Sequence, residues 1–87
     1  MFDWDEANVS HIARHGVVPE EAEDVVRSAG VVAEGVRQGE PRVVAVGETS
    51  SGKTLVAVST RRGARIRIVT AYPANRSQRA RYRKYER

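Results

Sequence analysis

Arg65 and Arg67 stand two residues apart in the stretch Thr60-Arg61-Arg62-Gly63-Ala64-Arg65-Ile66-Arg67-Ile68-Val69-Thr70-Ala71-Tyr72. Strand alternation places Arg65, Arg67 and Val69 on one face and Ile66, Ile68 and Thr70 on the other. Two arginines so spaced flank a site for one phosphate, while the opposite face packs in the core. Further along, Arg76, Arg79 and Arg83 recur at helical spacing and add a second basic stripe. Tyr72, Tyr82 and Tyr85 are interleaved with these cations and could stack on unpaired bases. For Tyr82 and Tyr85, packing of a helix on a sheet explains the aromatics equally well. Arg62 completes the set of candidate polyanion contacts.

RNA supplies its own nucleophile, the 2′-hydroxyl beside the scissile phosphate. A protein that cleaves it must add a proton acceptor, a proton donor for the leaving 5′-oxygen, and positive charge for the transition state. The arginines meet the last need. The basic segment holds no histidine, and its one acid is Glu86, so proton transfer would fall to Lys53, Tyr72 or an arginine acting as a lysine would. This points to slow or ribosome-assisted cleavage, or to binding alone. No metal site and no cofactor are expected.

Two other patterns carry less. Gly47-Glu48-Thr49-Ser50-Ser51-Gly52-Lys53-Thr54 fits the phosphate-loop pattern, but a phosphate loop needs a helix after it. Here Leu55-Val56-Ala57-Val58 follow, which are strand formers, and no aspartate occurs after Asp24 to orient a magnesium ion. The stretch is a hairpin turn. His11 and His15 are four apart on a predicted helix, too few for zinc. His15, next to Gly16, reads as a cation or hydrogen-bond donor at a helix C-terminus.

The elements that position these residues follow from periodicity. Phe2-Asp3-Trp4 is a candidate edge strand, and Asp5 can cap a helix over residues 6–15 whose inner face carries Val9, Ile12 and Ala13. Pro19 opens a second helix with the apolar stripe Ala22, Val25, Val26, Ala29, and Gly30 is its natural C-terminal stop. Val31–Val36, Arg42–Glu48, Thr54–Thr60 and Arg65–Tyr72 read as strands, and short turns make the last three an antiparallel meander. Asn75 with Gln78 forms a capping-box pattern for a last helix over residues 76–86, which has few apolar residues and must dock to persist. The expectation is an α+β fold with two N-terminal helices, a four-stranded antiparallel sheet and a C-terminal helix, the helices all on one face.

The 87 residues allow one domain with a thin core and no cysteine to staple it. A net charge of +4 hides a strong asymmetry: residues 1–60 hold five Lys/Arg against ten Asp/Glu (−5), and residues 61–87 hold ten against one (+9). Such segregation marks a polyanion binder or an acidic protein partner. No run approaches the roughly 20 apolar residues of a membrane span, and an acidic N-terminus is unlike a secretory signal. A soluble, cytoplasmic protein is expected.

At this level the chain resembles the BrnT toxins, whose fold is similar to that of RelE-type ribonucleases. The resemblance is carried by Phe2-Asp3-Trp4-Asp5, Ile12-Ala13-Arg14-His15-Gly16-Val17, Glu20-Glu21-Ala22, Arg42, Gly47-Glu48-Thr49, Gly52-Lys53, Leu55-Val56, Thr60, Arg62-Gly63, Arg65-Ile66-Arg67-Ile68-Val69, Ala71, Ala74, Arg76, Arg79 and Tyr82. It implies a metal-independent endoribonuclease that blocks translation. It also implies a BrnA-like ribbon-helix-helix antitoxin, through which the pair would reach operator DNA. The catalytic positions it implies are Thr60, Arg65 and Arg67, with Lys53 where a basic residue is usual. Many members carry Arg in place of Tyr72 and Glu in place of Gln78. The competing reading is a non-catalytic basic module that binds RNA or the antitoxin.

Overall fold

The computed structural model describes residues 1–28 and 30–85, the side chains of residues 30–32 and 85 excepted. The element order is β1 (Phe2–Asp3), α1 (Glu6–Ala13), α2 (Pro19–Ser28), β2 (Gly30–Arg37), β3 (Glu40–Glu48), β4 (Thr54–Arg62), β5 (Arg65–Pro73) and α3 (Arg76–Tyr85). Ala29 and Glu86, placed by periodicity in the second and third helices, lie outside the described residues.

Local chemistry sets the helix boundaries. Asp5 caps α1, accepting from the backbone N–H of Ala7 and Asn8 while the Asn8 side chain accepts from the N–H of Asp5. Gly16, at φ +76°, turns the chain out of the helix in a left-handed conformation open to glycine. Pro19 opens α2, where the Glu21 carboxylate accepts from the N–H of Val18. At α3 the Asn75 and Gln78 side chains exchange hydrogen bonds with each other's backbone N–H, both at 2.8 Å.

β2 to β5 form one continuous antiparallel meander, closed by tight turns at Gln38-Gly39 and Gly63-Ala64. Positive φ at both Gln38 and Gly39 is the sign pattern of a type I′ hairpin, whose twist matches that of the strands it joins. The phosphate-loop look-alike is a turn, as expected: the N–H of Thr49 donates to the Lys53 carbonyl at 2.8 Å, and β4 follows directly.

Two expectations are corrected. The sheet has five strands, not four, and is mixed. β1 precedes the helices and pairs parallel to β5, Phe2 beside Ile66 and Asp3 beside Arg67. Two residues give almost no alternation to read, and a parallel neighbour so far along the chain leaves no local turn signal. Nor do the helices share a face. α1 and α2 cover one side around Ile12, Val17, Ala22, Val25, Leu55, Ala57, Ile68 and Ala71. α3 covers part of the other, where Tyr82 packs on a smaller cluster about Val46, Val56 and Ala74. The cause lies in β4: Leu55, Val56 and Ala57 are all buried, so both sides of that central strand need cover. Among the described residues no helix is long and apolar enough to cross a membrane.

Candidate functional site: a basic cleft on one face of the sheet

The register lays side chains of the α3-bearing face in cross-strand rows. Val46, Val56 and Tyr72 form the row beneath α3, and Val44, Val58 and Thr70 form the next. Beyond them Thr60 stands opposite Arg67, and one further step of the β3–β4 register sets Arg42 beside Thr60. The last row holds Arg62 opposite Arg65, with Glu40 bonded to Arg62. Gly35 lies opposite Arg42 on β2 and offers no side chain, so this end of the face stays open. The outcome is a cleft of about 1130 Å³ whose walls include His11, Arg42, Arg62, Arg67, Thr70 and Tyr72.

A bulge in β5 composes this face. Val58 pairs with Thr70 but Ser59 with Ile68, which leaves Val69 as the extra residue. A bulge inverts the facing of everything beyond it. Strict alternation would send Thr70 to the core with Ile66 and Ile68. Instead Ile68 faces the core, and Thr70 and Tyr72 join Arg67 in the cleft.

α1 lies along the open edge of β5 rather than squarely on the sheet. The buried Asn8 amide donates to the carbonyls of Asp3 and Ile68, at 3.0 and 3.1 Å, filling acceptors that the short β1 leaves free. From this edge Ile12 points to the core while His11 turns to the cleft, its Nε2 3.1 Å from Thr70 Oγ1. The His15 ring meets the edge of Tyr72 at 6.1 Å and that of His11 at 5.7 Å. The basic segment holds no histidine along the chain, yet in space both stand beside it. His15, expected to serve a helix C-terminus, makes ring contacts with Tyr72 and His11 instead. Among the described residues no three His, Asp or Glu side chains cluster as metal ligands.

The sequence-derived candidates divide. Arg67 is in the cleft, with Nη1 3.1 Å from Asp5 and 3.5 Å from Asp3. The hydrogen bond from Arg67 holds the Asp5 carboxyl below its ordinary value, with help from the N–H of Asn8. The same bond raises Arg67 further. Arg65 is exposed opposite Arg62 at the end of the hairpin, just outside the cleft lining, and Arg62 is tied to Glu40 at 3.2 Å. Thr60 is buried and its hydroxyl donates to the Pro41 carbonyl at 2.7 Å. Lys53 is not with them. It pairs with Glu21 at 2.9 Å, seven residues up β4 from Thr60, roughly 20 Å along a strand. Arg79 folds back onto the Ala74 carbonyl at 2.9 Å, and Tyr82 is half-buried against the sheet. Arg76 and Arg83 are exposed on α3, and neither lines the cleft. The side chain of Tyr85 lies outside the described residues.

Arg42 was not among those candidates. Its Nε is buried without a hydrogen-bond partner among the described residues, and the Glu40 carboxylate is 4.0 Å from Nη2. Buried donors are nearly always paired, which makes this guanidinium on the cleft wall unusual. The signal for it was present, since Arg42 alternates with Val44 and Val46.

The chain is thus an α+β scaffold with Arg42, Arg62, Arg65 and Arg67 gathered at one end of an open sheet face. The sequence signature of the family described as "Ribonuclease toxin, BrnT, of type II toxin-antitoxin system" matches residues 4–78, and the chain belongs to that family. A comparison with curated proteins finds no match.

Proposed function

We propose that the chain is an endoribonuclease that takes single-stranded RNA into the basic cleft and thereby inhibits translation. The observation that carries this reading is the convergence of Arg42, Arg62, Arg65 and Arg67 on one open face, beside Tyr72 and the His11 imidazole. Arg65 and Arg62 meet the phosphates at the mouth, and Arg42 adds the exposed part of its guanidinium from the cleft wall. Arg67, already braced by Asp5, presents the remainder of its guanidinium to the scissile group. Tyr72, held edge-on by His15, supplies a ring on which a base can stack. Thr60, Lys53, Arg79 and Tyr82 serve the scaffold, and Arg76 and Arg83 extend the basic surface. The reaction needs no metal in this reading, because arginines carry the transition-state charge.

A type II system pairs the toxin with a protein antitoxin. We assign that role to a BrnA-like ribbon-helix-helix protein, which also brings the pair to operator DNA. The test is induction without antitoxin, with growth and messenger ends followed together. Growth should arrest and messages should be cut, and Arg65→Ala should relieve both while the protein stays folded. Arrest with intact messages would favour a module that binds RNA without cutting it.

A further inference from the structure

We propose that His11 is the proton acceptor of the cleft, taking the proton from the attacking 2′-hydroxyl of a bound RNA. The inference rests on the ribonuclease reading above and adds the one group that reading lacks. Chemistry of this kind requires a base at hydrogen-bond distance from a hydroxyl, next to the cations that hold the phosphate. His11 stands on the wall of the cleft that contains Arg42 and Arg67, and its Nε2, 3.1 Å from the Thr70 hydroxyl, is held where an incoming hydroxyl can take Thr70's place.

Its position is built rather than incidental. Asn8 and His11 stand one turn apart on α1, and His15 follows in the turn just past its end. They match Ile68, Thr70 and Tyr72 of β5, which span about 13 Å of strand before the bulge shortens them. Asn8 fixes the pairing by its bond to the Ile68 carbonyl, His11 meets Thr70, and His15 meets Tyr72. The bulge at Val69 is what turns Thr70 and Tyr72 towards this helix.

Other bases near the cleft are spoken for. Glu40 lies against Arg62 at 3.2 Å and Arg42 at 4.0 Å. Glu34 borders the cleft, but it stands opposite Val43 in the β2–β3 ladder, which directs its side chain to the other face. Asp3 and Asp5 hold Arg67. Among the described residues the His11 ring has a hydroxyl and a second imidazole as neighbours, and no carboxylate within ion-pair reach.

In the step itself the 2′-hydroxyl gives its proton to Nε2, displacing the Thr70 hydroxyl as hydrogen-bond partner. The 2′-oxygen bonds to phosphorus as the bond from phosphorus to the 5′-oxygen breaks. The leaving oxygen takes a proton from solvent water, and the imidazolium returns its own to solvent. The products end in a 2′,3′-cyclic phosphate and a 5′-hydroxyl.

The experiment measures cleavage of a defined message in a translation extract, alongside RNA affinity of the same proteins. His11→Ala and His11→Gln should each slow cleavage about 10²- to 10⁴-fold with RNA affinity kept within about threefold. His11→Gln keeps a hydrogen-bonding group beside Thr70 but no basic nitrogen, so its failure separates proton transfer from positioning. Added imidazole should restore cleavage to His11→Ala and not to wild type or His11→Gln. Near-normal cleavage by either variant overturns the assignment. So does a folded, RNA-binding His11→Ala that imidazole cannot rescue. An uncut message with wild-type protein would instead overturn the ribonuclease reading beneath it.

Discussion

Arg67 and Asp5 meet edge to edge: Nη2 donates to Oδ1 and Nη1 lies against Oδ2, each at 3.1 Å. The pair joins the last strand of the sheet to the cap of the first helix, 62 residues apart in the chain. Bidentate pairs of this kind fix orientation as well as charge. It holds α1 along the sheet edge and keeps Arg67 directed at the cleft.

Acid should loosen this joint. The Asp5 carboxyl is held low in the folded chain, first by Arg67 and then by the N–H of Asn8. A depressed carboxyl contributes stability that is fully present above its unfolded pKa of about 3.9 and is lost as pH falls through the lower folded value. Thermal unfolding should therefore show a Tm that declines below about pH 4. Asp5→Asn should lower Tm at neutral pH and flatten that decline. An acid limb unchanged by the substitution would show that the pair adds nothing to folding.

Arg42 should be dispensable for stability and costly for function. An unfilled buried donor costs about 1–3 kcal/mol, so Arg42→Met should unfold no more easily than wild type, and up to about 1 kcal/mol less easily. RNA binding should weaken at the same time, with a salt dependence shallower by about one phosphate contact. Urea denaturation and filter binding of the same protein check both halves.

Lys53→Ala should leave toxicity untouched. The Lys53 ammonium lowers the Glu21 carboxyl, and the pair bridges the β3–β4 turn to α2 at the exposed surface. Pairs of this sort contribute about 0–1 kcal/mol, and calorimetry should detect no ATP or GTP binding in either protein. Micromolar nucleotide affinity lost in the variant would contradict the turn assignment.

Asn8→Ala should be the most damaging of the polar substitutions. It strips hydrogen bonds from the carbonyls of Asp3 and Ile68 at a buried edge, a loss of about 2–3 kcal/mol. Cleavage should fall with it, since the helix that carries His11 loses its register on β5.

The antitoxin should stabilise what it silences. A partner present at about 1,000 times its Kd adds about 4 kcal/mol, which is large beside the stability of a chain this small. Complex formation should raise Tm markedly and protect residues 60–85 from hydrogen exchange, with RNA competing for the same surface. Protection confined to α1 and α2, with RNA binding unchanged, would place the antitoxin elsewhere.

Much of this was legible in the sequence because it is local. The caps at Asp5 and Asn75, the break at Gly16, the start at Pro19 and the hairpin at Ser50–Gly52 each announce themselves within a few residues. What was hidden is what depends on distant partners. β1 is too short to alternate and pairs with a strand more than 60 residues away. The bulge at Val69 sits in an unbroken run of β-formers, so nothing marked where inward and outward change places. That one residue moved Thr70 and Tyr72 to the arginine face and brought the histidines into the site. Arg67 shows the limit in another way: its neighbours suggested a phosphate, and its nearest partners are two carboxylates.

The five-stranded sheet also ends unequally. On the β5 side, β1 and α1 take up the outward backbone groups, while β2 runs along the opposite side with no strand beyond it. A sheet with one open border can be lengthened only there. If two chains meet through β2 in antiparallel fashion, each uses up the border of the other, and the union closes on a two-fold axis. Filament growth by strand addition would need a second border of comparable length, and there only the two residues of β1 stand, with Asn8 already bonded to the Asp3 carbonyl. The same contacts that place His11 beside Thr70 thus also guard a concentrated toxin against polymerising along its sheet.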